Sequence, residues 1–119
     1  MTTATTGLQM RSLVTASGQL ELSLVNEPVP TPAANEVVVR VEATPINPSD
    51  IGLLFGAADV STRARSGTAS HPVVTMHIPE RLMKSMQGRL DQSLPVGNEG
   101  AGTVVAAGSS PAAQAMLGK

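Results

Sequence analysis

The side chains best suited to holding a metal or moving a proton near neutral pH are His71 and His77, the only histidines in the chain. With Asp59 or Glu80 they could be drawn as a ligand set. Six residues apart in an irregular-looking segment, however, they match no established ligand spacing. The chain has no cysteine, which excludes disulfides and cysteine-based zinc sites. No serine stands in a Gly-x-Ser-x-Gly nucleophile elbow, and the carboxylates are scattered rather than paired. The glycine cluster Gly97-x-x-Gly100-x-Gly102 is not the G-x-G-x-x-G of a dinucleotide site. A strand-like run follows it where a phosphate-cradling helix N-terminus would be needed, so its glycines read as places of close backbone approach or positive φ. Asn47 and Asp50 remain. They bracket Pro48 and Ser49 just beyond a strong strand signal, and a proline-fixed loop at a strand end is a good platform for binding groups. An asparagine there offers both an amide donor and a carbonyl acceptor. The plainer alternative is that Asn47 forms a turn and Asp50 caps a helix.

The elements that would position these residues follow from periodicity. Leu8 to Val14 is apolar-rich, Thr15 to Gly18 reads as a turn, and Leu20, Leu22 and Leu24 then alternate with polar residues, which predicts a β-hairpin. Pro28, Pro30 and Pro32 mark Glu27 to Asn35 as an extended connector. Val37 to Ala43 is dominated by β-branched residues and is the clearest strand. Ser49 or Asp50 is placed to cap a short helix over Ile51 to Phe55. Residues 57 to 78 read as irregular. Pro79 opens a second helix, with Leu82, Met83 and Met86 as its buried stripe and Gly88 as its end. Thr103 to Ala107 predicts a strand, and Pro111 to Leu117 one or two helical turns. The expected fold is mainly β with short helices, in a small, partly open barrel.

Composition narrows the function classes. A formal net charge of -1 gives no long-range attraction to nucleic acid or to an anionic membrane. The local basic bias of Arg63, Arg65, Arg81, Lys84 and Arg89 is interspersed with Asp59, Glu80 and Asp91, as on a solvated surface. Phe55 is the only aromatic residue, so Tyr and Trp cannot supply stacking platforms. The small, polar start from Met1 to Gly7 lacks the features of a secretory signal, and no apolar run is long enough to span a bilayer. Lack of cysteine suits a reducing compartment, so a soluble cytoplasmic protein is expected. The sequence stops at Gly118-Lys119 with no tail or cap signal, which reads as a truncation or as a fragment of a longer protein.

Three motifs occur in order: Val38-Val39-Arg40-Val41-Glu42-Ala43, Ile46-Asn47-Pro48-Ser49-Asp50, and Gly97-Asn98-Glu99-Gly100-Ala101-Gly102-Thr103-Val104-Val105-Ala106-Ala107-Gly108. Together they resemble the N-terminal, GroES-like domain of medium-chain dehydrogenases/reductases, and most nearly the zinc-free quinone oxidoreductase and enoyl reductase branch. The resemblance runs from about Leu8 to Lys119. The zinc-dependent branch places a cysteine ligand where this chain has Asn47 and a histidine where it has Asn98, and an amide is no strong zinc donor. The quinone branch often carries a tyrosine in or after the segment matching Asp50 to Gly56, and Ala57 to Leu94 is longer than usual there. Both departures leave the substrate contacts unassigned.

The resemblance implies that residues 1–119 are an incomplete GroES-like domain. The Rossmann domain that would bind NADPH or NADH lies outside this chain. It implies hydride transfer to a quinone or to an activated alkene or carbonyl, a small-molecule substrate reduced without zinc, by a protein inactive without its Rossmann half. Asn47 is the residue expected at the catalytic position, and with Asp50 it is expected to contact the cofactor. Glu99 is expected to be structural, near the cleft. No nucleic-acid or membrane partner is implied, and a homodimer is one assembly open to the full-length protein, whose oligomeric state the sequence leaves open. The competing hypothesis is a non-catalytic GroES-like binding or scaffold module.

Overall fold

The structure, a computed structural model, describes residues 5–119. Met1 to Ala4, the start of the polar N-terminal stretch, lie outside the described residues. The chain is built as two compact units. The first takes the residues up to Pro28 together with Asn47–Gly97, and the second takes Val29–Ile46 with Asn98–Lys119.

The first unit is an open, five-stranded antiparallel sheet. Its strands are β1 (Thr6–Val14), β2 (Gln19–Pro28), β4 (Asp59–Gly67), β5 (Pro72–His77) and β6 (Leu94–Pro95), in the order β4-β5-β2-β1-β6. The predicted first hairpin forms with Val14 opposite Leu20 and Ser12 opposite Leu22. Its turn closes through the Gly18 N–H to the Thr15 carbonyl, with Gly18 at φ +90°, a conformation that glycine adopts without a Cβ penalty. Alternation puts Leu20, Leu22 and Val14 on one face, where Val14, Leu20, Met76 and Ile78 form the buried centre. Helix α2 (Glu80–Met83) and the 3₁₀ stretch Lys84–Arg89 bring Leu82, Met83 and Met86 against that centre, as their spacing predicted. Pro79 is the N-cap rather than the first helical residue, and the chain leaves the helical path after Arg89, not at Gly88.

The expectation of irregular chain over residues 57 to 78 is corrected: β4 and β5 form an antiparallel hairpin there. β4 is an edge strand with every residue exposed, so its sequence carries no apolar alternation by which to recognise it. Its register with β5 also slips between Asp59 and Ala64.

The second unit holds a two-stranded antiparallel sheet of β3 (Val37–Ala43) and β7 (Ala101–Ala107), with α3 (Pro111–Gln114) following. Ser110 caps α3 by accepting the Ala113 N–H at 3.1 Å. The protein is thus mainly β with short helices, and neither sheet closes on itself. No helix among the described residues is long and apolar enough to cross a membrane.

Candidate functional site

Asn47 and Asp50 meet in one turn. Asn47 is the N-cap of the 3₁₀ turn Pro48–Asp50, in extended backbone as the residue before a proline must be, and Asp50 is the third residue of that turn. The two stand in a capping-box arrangement. The Asn47 N–H donates to Asp50 Oδ2 at 2.7 Å, and the Asp50 N–H donates to the Asn47 carbonyl at 2.9 Å. Asp50 is buried despite its charge, which a carboxylate tolerates when it accepts such bonds. This differs from the expected cap. Neither Ser49 nor Asp50 caps helix α1 (Ile51–Leu54) with its side chain; the Asp50 carboxylate turns back to the start of the loop. Proline geometry and the carboxylate together fix the four residues that carry the two predicted site groups.

Two residues that the sequence reading missed hold the helix that follows. Ser12 is fully buried on β1, and its hydroxyl donates to the Leu53 carbonyl at 2.6 Å. Arg89 donates from Nη2 to Ser12 Oγ at 2.7 Å and from Nη1 to the Gly52 carbonyl at 3.3 Å. Cationic donors at the C-terminal carbonyls of a helix turn satisfy groups that have no partner within the helix. Burial pushes the Arg89 pKa below its ordinary value, and its buried Nε has no hydrogen-bond partner among the described residues. Ser12 shares a face of β1 with the buried Val14. A lone polar residue on an apolar face was the one signal that could have found it.

Glu99 lies in the second unit, on the segment leading into β7. It lines an open hollow of about 680 Å³ formed by Ala43–Pro45 and Asn98–Ala101. The glycines beside it serve strand approach, as their pattern in the sequence implied. A Cβ on Gly102 would overlap the Arg40 carbonyl oxygen, and one on Gly100 would sit 3.2 Å from Val41 Cγ1.

The histidines occupy separate places on the β4–β5 hairpin. His71 is in the turn, with Nδ1 3.1 Å from Ser70 Oγ, and His77 ends β5 opposite Asp59. Hydrogen bonds from the Ser61 side chain and backbone hold the Asp59 carboxyl below its ordinary pKa, with a smaller contribution from His77. Among the described residues no group of three or more His, Cys, Asp or Glu is placed to hold a metal ion.

No protein-family model matches the chain, and a search of curated proteins returns no match.

Proposed function

We propose that this chain is the substrate-side part of a cytoplasmic oxidoreductase that transfers hydride from NADPH or NADH to a quinone or an activated alkene or carbonyl, without zinc. On this reading it acts with a Rossmann nucleotide-binding domain and is inactive alone. The order and spacing of its three motifs suggest the family. The single observation that carries the reading is the pre-set Asn47–Asp50 turn, with its 2.7 Å bond from the Asn47 N–H to the buried Asp50 carboxylate.

The donor set of that turn suits the cofactor's carboxamide head and a neutral substrate carbonyl. It carries one carboxamide, and its one carboxylate is buried. The nicotinamide supplies the hydride when bound. As hydride arrives, negative charge grows on the substrate's carbonyl oxygen, and the Asn47 amide is the donor assigned to it. Asp50 keeps Asn47 in place, so that the donor does not have to reorganise during the step. Glu99, lining the hollow of the second unit, shapes that unit rather than taking part in proton transfer. The absence of cysteine agrees with the reducing cytoplasm.

The test is a titration of the isotope-labelled chain with NADPH, read on backbone amide resonances, with quinone turnover followed in the same sample. Weak, saturable shifts at Asn47 to Ile51, lost in Asn47→Ala, with no turnover, are expected. Shifts elsewhere only, or none, defeat the site and favour a non-catalytic binding or scaffold module. Turnover by the purified chain defeats the claim that it needs a second domain.

A further inference from the structure

The second unit leaves a strand edge with an unusual charge pattern. β3 hydrogen-bonds along one edge only, to β7, among the described residues. The other edge of β7 is engaged at Val104, whose N–H donates to the Lys119 carbonyl and whose carbonyl accepts the Gly118 N–H. A sheet of two strands is marginal by itself, and an open edge of β-branched residues is a template for a further strand. Val39 and Val41 are 42% and 56% exposed on that strand. Arg40 and Glu42 flank Val41, share a face, and pair with each other at 3.1 Å.

We infer that β3 pairs antiparallel with β3 of a second copy of this chain, about a two-fold axis through Val41. Antiparallel pairing centred there sets Val41 against Val41 of the second copy. It sets Arg40 against Glu42 of the second copy, and Glu42 against its Arg40. Directly opposed residues in such a ladder have Cβ atoms about 4.5–5.5 Å apart, within reach of ion pairing. The two intrachain pairs and the two cross-strand pairs then form a ring of four charges with alternating sign. The segment is therefore complementary to itself, as a two-fold interface requires. Val39 meets Ala43 of the second copy. Pro45, which lacks an N–H, limits the ladder at that end. The bulge at Glu42, where β3 slips against β7 between Val41 and Ala43, adds twist, so the two copies meet as a strongly twisted ribbon. The result is one continuous sheet of four strands, with the outward backbone groups of β3 satisfied.

The other long edge, β4, is a contrast. It carries Arg63 and Arg65 with only Ala64 between them. Like charges along a strand are a device by which natural sheets guard an edge. On β3 the charges cancel.

Sedimentation of the wild type, of R40E, of E42R and of their equimolar mixture tests this. At about 1 mM, where even a weak interface is populated, the wild type is expected to be largely dimeric. Each variant alone opposes like charges at both cross-strand pairs, and its dissociation constant should rise roughly tenfold to a hundredfold. The mixture restores both opposite-charge pairs and should return to within about threefold of wild type. Arg40 and Glu42 are 66% and 53% exposed, so neither substitution disturbs a core, and far-UV circular dichroism checks the fold. Should either variant misfold, V41K sets two lysines face to face and should also give monomer. A wild type that stays monomeric, variants that dimerise as well as wild type, or a mixture that fails to recover overturns the inference.

Discussion

Ser12→Ala removes one oxygen and strands two partners. The Ser12 hydroxyl is fully buried, donates to the Leu53 carbonyl at 2.6 Å and accepts from Arg89 Nη2 at 2.7 Å. Leaving a buried acceptor without its donor costs about 1–3 kcal/mol. The Arg89 head is only half-buried, so it recovers part of its loss by turning to water, and it adds on the order of 0.5 kcal/mol. The expected loss is about 1.5–3.5 kcal/mol, which in a chain of this size lowers the melting temperature by roughly 6–14 °C. With no Trp or Tyr in the chain, far-UV circular dichroism is the practical readout. Arg89→Met removes the other partner, and the double variant closes a cycle whose coupling should exceed about 0.5 kcal/mol, the limit for independent sites. Amide resonances of Asn47 to Leu54 should broaden or shift in Ser12→Ala, because the lost bond anchors the helix that follows the Asn47–Asp50 turn. A loss below about 0.5 kcal/mol, typical of an uninvolved surface position, would refute this reasoning. So would strict additivity with Arg89→Met.

Two further outcomes are expected. Gly102→Ala drives a Cβ into the Arg40 carbonyl oxygen, so β3 and β7 must separate. It should lower stability by about 1–3 kcal/mol or more, while Gly88→Ala, which meets nothing within 4 Å, is a control that stays near wild type. Asp59 has a folded pKa below its ordinary value, so its contribution is fully present above the unfolded value, about 3.9, and is lost as pH falls through the lower folded value. The Ser61 amide, which donates to Asp59 Oδ1 at 3.0 Å, should therefore titrate below about pH 4. A midpoint above the ordinary value contradicts the assignment, and Asp59→Asn should abolish the transition.

What the sequence alone determined is the part governed by local periodicity and turn chemistry. The β1–β2 hairpin, β3, β7 and the methionine-bearing helix were each legible because one face is apolar and the breaks fall at Gly or Pro. The β4–β5 hairpin was not. An exposed edge strand needs no buried face, so DVSTRARSG carries no period, and its pairing with β5 is a tertiary choice. Asn47 and Asp50 could be singled out from the Asn-Pro-x-Asp spacing, but not the direction of the Asp50 carboxylate. Whether it caps the next helix or closes its own loop depends on how the chain turns at Pro48. Ser12 and Arg89 are 77 residues apart. No local rule links a serine in a strand to an arginine at the end of a 3₁₀ stretch, because only the packed sheet brings both to the carbonyls that close α1. The sequence likewise places Arg40, Val41 and Glu42 in a row, while only the sheet order shows that, among the described residues, their strand has a neighbour on one side and an open edge on the other.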